Sequence, residues 1–317
     1  MITLPYIPGS YRSGYFARKD VKSELERLAT AHKKHLSVHE HISEAEEIMP
    51  LGSGGHGRVS LVERKSDRKL YAQKESFETR ERLLIELIAL LLLEHKTIVN
   101  PHEIGELKNA SLVLREDYLK NAVPLKRINI RKLEELARFL DLFREVSEGV
   151  KHVHDRGIVH GDLKPTNILV NKQGAHITDF GCATIKRPDI DVVIRMRDGF
   201  VAGTLTHMAP EFCGAGSKID FSSDIYSLVV TMYELLTGEL PYYGLLQTEE
   251  QMVHAVRCQP PADIRDLSPI KNETFAKALL GALAKDPESR TFKSTEEFVQ
   301  FLKNVTPEKL FKKKALI

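Results

Sequence analysis

The stretch IVHGDLKPTNILV, residues 158–170, decides how the rest of the chain is read. Two apolar ends enclose a polar centre in which an acid, an ammonium and an amide (Asp162, Lys164 and Asn167) stand within six positions. Further on, the run TDFG, residues 178–181, ends a short apolar strand pattern and sets Asp179, twelve residues beyond Asn167, in a turn. That span suits a hairpin folding back on itself, so an amide oxygen and a carboxylate could serve the same hard divalent cation, which prefers oxygen. An ordinary turn aspartate would explain Asp179 in isolation. A chance loop does not explain the whole set.

Upstream, LGSGGHGRV, residues 51–59, carries Gly52, Gly54 and Gly57 as G-x-G-x-x-G, followed by Val59. Glycines let a hairpin backbone approach phosphate oxygens closely enough for N–H groups to donate. A strand pattern follows, not a helix, so the run fails as a dinucleotide-binding fingerprint. A glycine-rich turn with no ligand remains the plain reading of this run taken alone. Next comes YAQK, residues 71–74, where Lys74 closes an otherwise apolar strand and needs partners if buried. Glu86 is the only charge between Leu83 and Leu93 and is the candidate partner.

Bulk properties narrow the class. The chain has 317 residues, 42% hydrophobic and 28% charged, enough for a sizeable core. A net charge of +2 gives no electrostatic case for nucleic acid or a membrane surface. Cys182, Cys213 and Cys258 are widely separated without metal-ligand spacing, which suggests reduced thiols. The most apolar run, Leu83–Leu93, is 11 residues against the roughly 20 of a membrane span. A soluble protein without a transmembrane segment is expected.

Periodicity organises the chain. Residues 1–15 read as an irregular arm. A helix over about 20–36, with Val21, Leu25, Leu28 and Leu36 at helical spacing, either packs on the main domain or contacts a partner. Short strands with one helix, about 79–94, occupy 45–105. Helical patterns dominate from Arg131, with later helices near 222–237, 248–257, 272–284 and 294–303. The expectation is an α+β fold of two lobes with a cleft between them. Residues 1–44 form an arm and helix, 45–304 the domain (small lobe about 45–114, large lobe about 118–304) and 305–317 a basic tail containing Lys312–Lys314.

Taken together, these motifs resemble the protein kinase superfamily, and its serine/threonine branch through the D-x-K-P-x-N form of DLKPTN. GTLTHMAPE (203–211), SSDIYSL (222–228) and KDPESR (285–290) continue the resemblance in collinear order over about 45–304. It implies a bilobal enzyme that uses ATP and Mg²⁺, with Mn²⁺ as an alternative metal, and a protein substrate with a Ser or Thr acceptor. Asp162 would accept the hydroxyl proton, Lys164 would stabilise developing negative charge, and Thr204 would bridge the two. Asn167 and Asp179 would be the metal ligands, and Lys74 with Glu86 the ion pair that positions phosphates. The nucleotide pocket would comprise Leu51, Gly52, Gly54, Gly57, Val59, Ala72, Lys74 and Leu169, with a hinge near Arg115–Asp117 and Leu114 guarding the back. Asp224 would hold the catalytic-loop backbone, and Arg290 would pair with Glu211. The expected compartment is the cytoplasm, or a host cytosol for a secreted bacterial effector.

One departure carries weight. Gly161 stands where the family usually has an arginine that receives an activation-segment phosphate. The only hydroxyl residue between Cys182 and Ala202 is Thr184. Independence of activation-segment phosphorylation is therefore expected. Two rival readings are a pseudokinase scaffold, against which Lys74, Glu86, Asp162, Asn167 and Asp179 all stand, and a small-molecule phosphotransferase, against which the docking stretch 203–211 and Arg290 stand.

Overall fold

The computed structural model describes residues 19–310, apart from 55–56, 77–79, 110, 127–131, 188–204, 214–219, 243–247 and 269. Thr204, the arm 1–15 and Lys312–Lys314 lie outside the described residues. The chain divides into two compact units: one runs to Ala122 and resumes at Asp179, and the other comprises Val123–Thr178 and the remainder from Gly199.

The first unit holds helix α1 (Lys19–Ala31), strands β1 (Ser37–His41), β2 (Ala45–Gly54), β3 (Gly57–Arg64) and β4 (Leu70–Ser76), helix α2 (Arg80–Leu92), and strands β5 (Pro101–Glu106) and β6 (Leu112–Asp117). The six strands make one sheet in the order β1-β5-β6-β4-β3-β2. All neighbours are antiparallel except β1 and β5, which run parallel. Helix α2 is apolar almost all round, as a buried helix must be, and Leu87 to Leu91 are wholly inaccessible.

Two expectations change here. The helix of residues 20–36 ends at Ala31, and Lys33 takes a left-handed φ of 54°. The chain then re-enters as β1, so residues 37–41 belong to the sheet and not to a separate arm. Polar alternation in SVHEH hides the strand from periodicity, because only Val38 is buried. The second change concerns the hinge. Arg115, Glu116 and Asp117 are the last residues of β6, and the unit runs on to Ala122, later than the expected lobe boundary near 114.

Alternation along β6 gives these residues opposite tasks. On one face the guanidinium of Arg115, 1% exposed, donates to Gln73, Glu103, and both the hydroxyl and the carbonyl of Ser43. Glu103 also takes Arg64. This network ties the link between β1 and β2 to the middle of the sheet, where each Arg115 guanidinium nitrogen has a partner in low dielectric.

The second unit contains β7 (Val123–Pro124), α3 (Leu133–Asp155), β8 (Ile158–Val159), β9 (Ile168–Asn171), β10 (Gly174–Ile177), α4 (Phe221–Thr237), α5 (Glu249–Cys258), α6 (Ile264–Leu267), α7 (Glu273–Ala282), α8 (Thr295–Asn304) and α9 (Pro307–Leu310). Helix α4 is its axis. Asp220 caps its N-terminus by accepting from Phe221, and Gly238, at φ 81°, ends it. Between these caps nearly every side chain is buried. Helix α3 packs on α8 and α9, and Arg144 of α3 donates through Nε to the Leu302 carbonyl at 3.0 Å and through Nη2 to the Val305 carbonyl. The expected basic tail is not free throughout: Leu310 is 2% exposed, and Asn272 donates to the Lys309 carbonyl. Among the described residues no helix is long and apolar enough to cross a membrane.

Candidate active site

In the second unit, the polar centre of residues 158–170 becomes a loop between β8 and β9. Two features set its backbone. Gly161 sits at φ 79°, the left-handed region that other residues enter only with strain. The carboxylate of Asp224, from α4, accepts the N–H groups of His160 at 2.7 Å and Gly161 at 2.9 Å. His154 Nε2 lies 2.8 Å from the same carboxylate. Burial alone would raise the Asp224 pKa, but His154 and the loop amides outweigh it and hold it below the usual range. The histidine, whose Nδ1 faces the Thr295 hydroxyl, was not legible as a site residue. Its place beside Asp224 depends on the crossing of α3 and α4.

On this platform three side chains converge. Lys164 donates to Asp162 Oδ2 at 2.6 Å. Asn167 donates through its amide nitrogen to the Asp162 carbonyl at 2.9 Å and to Oδ2 at 3.1 Å. That orientation points the Asn167 amide oxygen the other way, as a ligand to a hard cation would require. Asp162 is 8% exposed and therefore held by donors and not by water. Leu169, half-buried in β9, pairs in register with Pro124 and His176.

The first unit brings together the other set. Lys74 in β4 is ion-paired with Glu86 of α2, as expected, and Glu86 Oε1 also accepts the Phe180 N–H at 3.2 Å. Asp179 stands beside this pair at a left-handed φ of 65°. Burial works against the Lys74 charge, but the carboxylates of Glu116, Glu86 and Asp179 outweigh it and raise its pKa. Glu86 is pushed upward, chiefly by burial, with Lys74 opposing.

Glu116, which the sequence placed only within the hinge stretch 115–117, lies with its Oε1 3.0 Å from Lys74 Nζ. Cα register pairs Lys74 with Leu114 and Ala72 with Glu116. Directly opposed residues share a face, so Leu114 and Glu116 both look toward the Lys74 side, and it is Glu116, not Leu114, that stands across from Ala72. An alternating L-R-E-D run gives no sign of which acid turns inward.

The glycine run divides in its duties. A Cβ on Gly57 would meet the Glu75 carbonyl at 2.2 Å, so this glycine is demanded by the close pairing of β3 with β4. A Cβ on Gly52 would meet nothing within 4 Å, which leaves open space for a ligand group. Gly54 lies at the end of β2. Leu51 is 42% exposed, Val59 half-buried and Ala72 buried. The open space at Gly52 leaves the β2 backbone accessible to a ligand such as a phosphate.

Residues 45–304 match the protein kinase domain model. The chain belongs to the protein kinase family. It is 33% identical over 233 residues to the serine/threonine-protein kinase pkn2 of Myxococcus xanthus, covering 68% of this chain and 27% of that one. It is 31% identical over 250 residues to the DNA damage-responsive serine/threonine-protein kinase RqkA of Deinococcus radiodurans, covering 76% and 36%. Similarity to pkn3 of Myxococcus xanthus is 29% over 273 residues, covering 82% and 49%. The chain therefore spans between about a quarter and a half of the length of these relatives.

Proposed function

We propose that this kinase transfers the terminal phosphoryl group of ATP to a serine or threonine hydroxyl of a protein, and that it does so without a phosphate on its activation segment. The observation that carries the first part is the convergence of Lys164 and Asn167 on Asp162. A carboxylate held by two donors is aimed, and Asp162 can orient a hydroxyl and accept its proton as the new bond forms. Lys164 supplies positive charge next to that carboxylate. Lys74, fixed by Glu86, faces the phosphates from the sheet. Asn167 and Asp179 would each offer an oxygen ligand to Mg²⁺, which neutralises phosphate charge when bound.

Gly161 supports the second part. Its backbone is held by Asp224 and it carries no cation for a phosphate to engage. The protein acceptor is supported by the Glu211–Arg290 pair, which anchors the stretch expected to dock a polypeptide. A peptide-array assay with the intact chain and an Asp162→Ala control tests the activity. Transfer to Ser or Thr peptides in the intact chain only is expected; equal signals from both would overturn the reading. Phosphatase treatment is expected to leave the rate unchanged. Loss of activity with recovery tied to a phosphate on Thr184, Thr204 or Thr206 would overturn the second part.

A further inference from the structure

Lys74 has more acid around it than one ion pair requires. An ammonium offers three N–H donors. One goes to Glu86 and a second to Glu116 at 3.0 Å. The two partners differ in what carries them: Glu86 rides on helix α2, whereas Glu116 belongs to β6, hydrogen-bonded directly to the strand of Lys74. Glu116 is the diagonal neighbour of Lys74 on the shared face, within reach of a long side chain.

Glu116 also sits at a cost to the fold. It is 3% exposed, and its Oε2 is buried without a hydrogen-bond partner. Burial raises its pKa, with Lys74 opposing. A carboxylate half-satisfied in the interior is worse for stability than an apolar residue of similar volume. Packing alone therefore does not account for it.

We propose that Glu116 is a positioning residue for nucleotide binding: a sheet-borne second anchor that holds Lys74 when the α2 anchor is lost. With two donors committed to protein, the third is left for a phosphate oxygen, so Lys74 is pre-set and not free to swing. The inference rests on the reading that Lys74 meets nucleotide phosphate. The anchor in β6 does not ride on α2, so the two carboxylates share the holding of Lys74 and either one alone retains part of it.

The experiment is a double-mutant cycle of Glu86→Ala and Glu116→Leu in the full chain, with Lys74→Met as the floor and Glu116→Gln as the conservative variant. ATP affinity is read by calorimetry, and kcat, KM for ATP and Tm are measured beside it. Glu86→Ala alone is expected to retain binding well above the floor, and the double variant to fall to it. Glu116→Leu alone is expected to weaken ATP binding about tenfold, the scale of one charge-assisted hydrogen bond. Glu116→Gln should recover part of that loss, and Tm in Glu116→Leu should stay level or rise. Glu86→Ala already at the floor, or Glu116→Leu without effect on affinity in both backgrounds, overturns the proposal. A Tm fall that accounts for the whole loss of binding also overturns it. If the intact chain binds ATP but transfers nothing, the affinity cycle still decides the role of Glu116 while the kinase reading fails.

Discussion

Arg290 reaches Glu211 across 79 residues of sequence with its guanidinium wholly buried, Nη1 lying 2.8 Å from Oε1 and Nη2 facing Oε2. Nη1 also donates to the Ser222 carbonyl and Nε to the Ala284 carbonyl, and the guanidinium carbon lies 5.0 Å from the centre of the Tyr226 ring. The two-pronged fork locks the segment after residue 205 to α4 and to the turn before α8.

Removing one member strands the other. Arg290→Ala is expected to destabilise the kinase by about 3–5 kcal/mol, the penalty of an uncompensated buried charge. Adding Glu211→Ala should cost much less than a second full increment, because the charge no longer needs a partner. Denaturant unfolding of both single variants and the double variant measures this directly.

Asp162→Asn keeps the size of the side chain and removes its basicity. We expect kcat to fall by about 10²–10⁴, the usual weight of a positioned general base. ATP affinity should stay nearly unchanged, since Lys74 and the glycine run are untouched. A matched fall in affinity would mean that Asp162 serves binding and not transfer.

Gly161→Ala asks an L-residue to hold φ 79°. A cost of about 1–2 kcal/mol is expected, along with a lower kcat, because the N–H that meets Asp224 is on this residue. Gly161→Arg should carry the same strain and gain no response to phosphatase. Thermal melting and a rate measurement with and without phosphatase check both.

Lys285 supplies a prediction in pH. Its ammonium is half-buried, donates to the Val256 carbonyl at 2.5 Å, and lies 3.8 Å from the Tyr242 ring centre. Burial lowers its pKa to about 8, with Cys258 and Cys213 opposing. The unfolded lysine titrates near about 10.4, so between these values the unfolded chain binds more protons. Stability therefore gains a rising contribution as pH goes from about 8 toward 10, reduced by solvent access at the half-exposed site. Lys285→Met should remove that slope from a Tm series over the same range.

Much of the candidate site was legible in sequence, for a definite reason. Asp162, Lys164 and Asn167 lie within one loop, where spacing along the chain is nearly spacing in space. Lys74 and Glu86 could be paired because each is a charge inside an apolar element and needs a partner there. The helix near 222–237 was readable from its apolar content and its end signals, and α4 spans Phe221–Thr237. The failures share a cause as well. SVHEH forms β1 although only one of its residues is buried, because β5 offers a free edge to pair with. Arg115 and Glu116 look alike as charges at the end of an apolar run, yet one enters a buried network and the other reaches Lys74.

The sequence by itself determined the family and the residues of the loop 158–170, because local spacing and residue type specify a short loop's chemistry. Only the tertiary structure decided which carboxylates surround Lys74. Strand register chose Glu116 over Leu114 as the residue across from Ala72, and register follows from long-range pairing that no local pattern encodes. The same holds for Gly161. Its identity was plain at once, but the left-handed backbone that glycine relieves appears only when Asp224, 63 residues away, draws the loop amides toward it.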